Sequence, residues 1–147
     1  TDLPGSFEQI AATQSNVGRM KVAGVDVAIG MIDDNDTRPA QQTMQYAGNL
    51  VALTKIPGAT GLNWNDAFAA ITSKPAQMVG AGGDIGSLAA GRRGDVVIWD
   101  GDPLEVTSGV EAVWIDGVRQ PLTTRQTRLR DRYATPGETA LPKAYDR

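Results

Sequence analysis

The hydrophobic pattern changes period at Gly94, and this change constrains the fold more than any other feature of the chain. Before it, apolar residues recur at helical spacing. After it, short apolar runs are cut by turn formers, as strands are. Asp95 to Trp99 reads as one strand, ended by Asp100-Gly101-Asp102-Pro103, and Val110 to Ile115 reads as a second. Asp116-Gly117 then gives the strongest short hairpin signal, because a type I′ turn needs positive φ at both central residues. Val118 to Leu122 returns from that turn.

Upstream, Ser6 to Ala23 reads as a helix with Ser6 as N-cap, Gln9 in capping-box position and Gly24 as its stop. Val25 to Met31 is a short apolar run rich in β-branched residues, the pattern of a buried strand in a parallel sheet. Asp33-Asp34-Asn35-Asp36 follows at once. In a βα unit this is the loop at the carboxyl end of a strand, where α/β folds place their ligands. Helices are expected from about Ala40 to Leu53, from Trp64 to Thr72 behind Asn63 or Asn65, and from Ser73 to Gly80 with Pro75 in the first turn. Arg125 to Tyr133 reads as a surface helix, and Pro136 to Arg147 as an extended end. The order is helix, strand, acidic loop, helices, strands, which is an α/β arrangement.

A chain of 147 residues can bury a core. It is too short for a complete (β/α)8 barrel, which takes about 250 residues. A net charge of −3 without a basic run favours neither nucleic acid nor an anionic membrane. No apolar run approaches the roughly 20 residues that span a bilayer. The chain has no Cys, which excludes disulfides and thiolate metal sites and leaves the compartment open. It has no His, which excludes Ser-His and Cys-His nucleophilic pairs. It opens on Thr1-Asp2-Leu3-Pro4-Gly5 with no signal pattern, and so reads as the middle of a longer polypeptide.

From position alone, Asp33, Asp34 and Asp36 read as a solvated acidic turn capping the next helix. An EF-hand is excluded, since Arg38 and Pro39 fall where an oxygen ligand and the obligate Gly belong. Arg38 is placed either to pair with Asp36 or to hold a substrate carboxylate through two hydrogen bonds, and Asn35 stands beside it. Gly80, Gly82, Gly83 and Gly86 lack dinucleotide-binding spacing. Trp64, Trp99 and Trp114 read as packing residues, and Asp95, Asp100 and Asp102 as turn and strand-edge residues.

Four segments carry a family resemblance. They are A-I-T-S-K-P-A from Ala70, G-S-L-A-A-G-R-R-G-D from Gly86, W-D-G-D-P-L from Trp99 and V-W-I-D-G from Val113. Together they resemble the closing part of metal-dependent amidohydrolases of the imidazolonepropionase-like and prolidase-like branch, over Leu3 to Tyr133. The resemblance implies an α/β fold: the C-terminal part of a (β/α)8 TIM barrel joined to strands of a small β-sandwich. Residues 1–80 would hold the last barrel strand, Val25 to Met31, and its helices. Residues 81–124 would hold the β-sandwich (composite domain) strands, and 125–147 the tail.

It also implies chemistry. The complete enzyme would cleave a C–N bond of an amide, lactam or peptide-like small molecule with a metal-activated water. Asp33 would be metal ligand and proton acceptor, with Asp34 as the alternative one register step away, and Asn35 and Arg38 would bind substrate. The divalent ion, zinc by family habit, would be held mainly by histidines in an upstream portion. This chain alone would hold none and be inactive. Its partner would be that missing N-terminal portion, or a second copy through self-association. The competing expectation is a non-catalytic α+β scaffold or interaction domain derived from such a tail.

Overall fold

A computed structural model describes residues 12–30 and 38–134. Four helices come first: α1 Ser15–Val22, α2 Arg38–Ala52, α3 Trp64–Ile71 and α4 Ser73–Met78, with a 3-10 turn at Leu53–Lys55. Three strands follow, β1 Val96–Trp99, β2 Val110–Ile115 and β3 Val118–Gln120, and then α5 Arg125–Ala134. None of the described helices is long and apolar enough to cross a membrane.

The expected Ser6–Ala23 helix is shorter at its start. Ala12 to Gln14 precede it without helical structure, while Ser6 and Gln9 lie outside the described residues. Two contacts fix the start at Ser15. Its amide donates to Thr13 Oγ1 at 3.3 Å, and its buried hydroxyl accepts from the Thr60 amide at 3.1 Å. The end is as expected. Gly24 adopts φ +81°, and the Val25 amide reaches back to the Met20 carbonyl at 3.0 Å, the six-to-one bond of a Schellman cap.

Val25 to Gly30 departs from the expected strand: it joins no ladder among the described residues, and Met31 lies outside them. A strand is defined by its neighbours, and a parallel one needs a crossover partner. Here the apolar run packs against helices instead. Ile29 lies against the core, and its amide donates to the Ala70 carbonyl of α3 at 2.8 Å.

The core is small. Ala47 and Leu50 of α2, Leu62, Ala67 of α3 and Leu104 are each at most 6% exposed. Val17, Ile29, Val51, Leu53, Phe68 and Ile71 pack around them. Asn63 starts α3 as expected, its Oδ1 accepting the Asp66 amide at 2.8 Å. Leu104 arrives from the turn after β1, so one side chain from the strand region closes the helical core.

The G-S-L segment explains one glycine. Gly86 sits at φ +85°, and a Cβ there would stand 2.6 Å from Ala76 Cβ and 2.8 Å from the Thr72 carbonyl oxygen. No other residue lets this loop lie so close to α4. Arg92 donates to Ser87 Oγ, the Arg93 amide to the Asp84 carbonyl, and the Arg93 guanidinium to Asp95. Asp95 Oδ1 in turn accepts the Asp116 amide at 2.8 Å, pinning the hairpin to the loop.

The sheet is antiparallel with order β1-β2-β3. Val97 faces Val113 and Trp114 faces Arg119, with a register shift between Ile98 and Trp99. Asp116 and Gly117 have φ of 53° and 74°, as the two-residue hairpin requires. Ala112 alone is buried among the strand residues, while Val97, Ile98, Val110, Ile115 and Val118 are exposed. Pro121, with no amide hydrogen to give, follows β3 one residue short of the expected end.

Candidate functional site

The segment that would carry the chemistry lies between two described stretches. Asp33, Asp34 and Asn35 fall outside the described residues. Arg38 is the first residue of α2, and its side chain is likewise outside the described atoms. What the structure builds is the frame from which that segment departs.

Two ion pairs and one backbone bond make this frame. Lys74, in the first turn of α4, places Nζ 2.6 Å from Asp26 Oδ1, tying the start of the 25–30 segment to α4. The Ile29 amide ties its end to α3. Lys21 of α1 places Nζ 2.8 Å from Asp66 Oδ1 of α3, so the helix before the segment is held to the same support. Asn63 completes the cluster by donating from Nδ2 to Asp66 Oδ2 at 2.9 Å while its own oxygen caps the helix.

The electrostatics follow from these contacts. The hydrogen bond from Lys74 holds the Asp26 carboxyl below the ordinary aspartate value, and its positive charge adds to this. The hydrogen bond from Lys21 lowers Asp66, against a smaller rise from burial. Asp66 in turn raises Lys21. All four groups are partly or largely open to solvent, so this is a surface network that screens with salt. It suits holding a segment in place better than moving a proton.

A second junction sits at Trp64. Its indole nitrogen donates to both oxygens of Asp102, at 2.9 and 2.8 Å, and its ring stacks on Phe68 with centroids 4.9 Å apart. Asp102 Oδ1 also accepts the Leu104 amide at 2.9 Å, setting the turn that sends Leu104 into the core. The expectation of Trp64 as packing and Asp102 as a turn residue holds, but sequence gave no sign that the two meet across 38 positions. Lys21, Asp26, Asp66 and Lys74 likewise meet only through the fold. Their one local signal was Lys74 beside Pro75 at a helix start.

Among the described residues, no group of three or more His, Cys, Asp or Glu is placed to hold a metal ion. The described carboxylates therefore do not form a metal centre by themselves.

Comparison with known proteins bears on this frame. The profile of the Amidohydrolase family matches residues 8–119. An imidazolonepropionase of Maricaulis maris is 33% identical over 125 residues, 84% of this chain and 28% of that protein. An amidohydrolase of Hapsidospora irregularis is 43% identical over 60 residues, 41% of this chain and 6% of that protein. The crystal structure of an amidohydrolase from Thermotoga maritima superposes with a TM-score of 0.65 and 28% identity, over 80% of this chain and 28% of that one. The chain thus spans little more than a quarter of the length of that imidazolonepropionase.

Proposed function

The chain belongs to the amidohydrolase family, and from that membership we propose that it supplies the closing part of a metal-dependent hydrolase acting on C–N bonds. In this reading the 25–30 segment takes the place of the last strand of a (β/α)8 barrel, and β1 to β3 are strands of the accompanying β-sandwich. The observation that carries it is the anchoring of that segment. Asp26–Lys74 at one end and Ile29–Ala70 at the other hold the segment that precedes residues 31–37 in sequence, which supports this reading.

Asp33 is the carboxylate this chain contributes, with Asp34 as its alternative. A carboxylate there is a hard oxygen ligand, and it accepts a proton from the attacking water. When bound, a divalent ion such as zinc supplies the Lewis acidity that makes water a competent nucleophile near neutral pH. Asn35 and Arg38 hold the substrate, Arg38 by two parallel hydrogen bonds to a carboxylate. The substrate is a small amide or lactam. An N-terminal portion supplies the histidine ligands and covers the open sheet.

The test is made in the complete hydrolase. Asp33→Asn is expected to abolish turnover and reduce bound zinc with the fold intact by circular dichroism. Asp34→Asn is expected to keep most of both. Full turnover by Asp33→Asn would sink the assignment, and an inactive Asp34→Asn beside it would move the role one residue along.

A further inference from the structure

The strand region holds two Asp-Gly pairs, Asp100-Gly101 and Asp116-Gly117, and all four residues are exposed. Such a pair carries its own chemistry. The glycine amide nitrogen can attack the aspartate side-chain carbon, because no Cβ on the glycine crowds the five-membered ring that forms. The fold treats the two pairs in opposite ways.

At Asp116-Gly117 the nucleophile is engaged. The Gly117 amide donates to the Gly94 carbonyl oxygen at 2.8 Å. To attack, that nitrogen must give up the bond and turn a lone pair towards a carbonyl oxygen. At Asp100-Gly101 the engaged group is the electrophile. The Gly101 amide meets no acceptor among the described residues. The Gly109 amide donates to Asp100 Oδ1 at 2.6 Å, and the Asp100 amide donates to the Gly109 carbonyl at 3.0 Å, so the 100–109 loop is closed at its neck. An N–H aimed at that oxygen draws electrons from the carboxyl carbon and stabilises the negative charge that grows there as the ring closes. Neither residue is freely exchanged. Asp100 is the clasp of the loop, and a Cβ at Gly101 would stand 2.7 Å from Ser108 Oγ.

We propose that Asp100 is a site of spontaneous isoaspartyl modification and that the fold spares Asp116. The Gly101 nitrogen bonds to Asp100 Cγ, a carboxyl C–O bond breaks, and water leaves with the amide proton. The cyclic imide then takes up water at the Asp100 main-chain carbonyl carbon. This breaks the original peptide bond and leaves Gly101 joined through Cγ. One water is lost and one gained, so the mass is unchanged and no other reactant is consumed. The main chain becomes one methylene longer between β1 and the turn, and the clasp on Gly109 loses its side-chain carboxylate. Asp102, which holds the Trp64 indole and the Leu104 amide, follows directly, so the modification slackens the join between strands and helical core. The inference is independent of the hydrolase reading.

Peptide mapping tests it on the complete polypeptide, held for weeks at neutral pH either folded or in urea. Trypsin followed by a glutamate-specific protease releases residues 94–105 and 112–119, with one Asp-Gly pair in each. Chromatography separates the isoaspartyl form of each peptide from the aspartyl form of equal mass. In the folded protein isoaspartate is expected to accumulate at Asp100 about tenfold faster than at Asp116, well below the full effect of one oriented donor. In urea the two rates are expected to converge, since each pair is then plain Asp-Gly. The melting temperature of the aged folded protein is expected to fall as isoaspartate at Asp100 rises. No isoaspartate at Asp100 in the folded protein overturns the proposal, as does a folded rate at Asp116 equal to or above it. A ratio unchanged in urea would assign the difference to sequence and overturn the role given to the fold. Modification at Asp100 with an unchanged melting temperature would overturn the slackened join.

Discussion

Gly48 of α2 faces the Leu104 carbonyl oxygen so closely that a Cβ at Gly48 would stand 2.2 Å from it. In a helix interior exposed to solvent, replacing Gly by Ala gains about 1 kcal/mol. Here the sign reverses, because the oxygen belongs to backbone that the Asp102 turn holds in place. Gly48→Ala is expected to destabilise by roughly 1–3 kcal/mol, the usual cost of overpacking. Thermal unfolding checks it, and a raised melting temperature would show that α2 and the turn separate freely.

The Trp64–Asp102 junction predicts a ranking. Asp102→Ala leaves both the indole and the Leu104 amide without their acceptor, and is expected to lose about 1–3 kcal/mol. Trp64→Phe can keep the stack on Phe68 and loses only the bond, about 1 kcal/mol. Asp102→Asn keeps one acceptor and falls between. Urea unfolding gives the order. If Asp102→Ala costs no more than Trp64→Phe, the turn does not depend on that carboxylate.

The ion pairs set a pH window. Asp26 and Asp66 have lowered values, so their contribution is present above the ordinary aspartate value of about 3.9 and is lost as pH falls through the lowered ones. Lys21 is raised, so its contribution is present below about 10.4 and is lost as pH rises through its folded value. Lys74→Met should therefore lower the melting temperature at neutral pH, and the deficit should shrink in strong acid, where Asp26 is protonated in both proteins. An equal deficit at both ends would assign the effect to packing of the lysine stem.

Asn63→Ala is expected to cost about 1 kcal/mol through the lost cap. Asn63→Asp keeps an acceptor for the Asp66 amide but sets a second negative charge beside that carboxylate. It should be nearly neutral in acid and destabilising at neutral pH. A pH-independent cost would show that the cap alone matters.

The legible parts of this fold are those decided by near neighbours in sequence. The Asp116-Gly117 hairpin, the Asn63 cap, the Gly24 stop and the α2 and α5 spans each follow from residues within a turn or two. The illegible parts were decided at a distance. The Val25 to Gly30 run has strand composition, but composition cannot provide a neighbouring strand, and the run leans on Ala70 and Lys74 instead. Ser6 was expected to start α1, yet the start is set by Thr13 and by a contact with Thr60, 45 positions from Ser15. Asp33 is singled out by family resemblance and an acidic loop, and its segment lies outside the described residues. The frame around it came from structure, because Lys21–Asp66 and Asp26–Lys74 join charges that look merely solvated along the chain.

Beside Leu50, Leu62 and Leu104, the buried positions of the helices are filled by small side chains, Ala47, Ala67, Ala70 and Ala76, and no large described side chain is fully buried. Trimming removes little from such an interior, so the usual route to a damaged protein, a void left by a lost methyl group, is nearly closed at these positions. Enlargement is the vulnerable direction. Gly18, 2.4 Å in the same sense from the Thr60 carbonyl oxygen, obeys the same one-sided limit as Gly48. Random substitution should thus reveal an asymmetry, with these sites tolerating exchange among glycine, alanine and serine only as far as size allows, while the larger residues around them drift more freely.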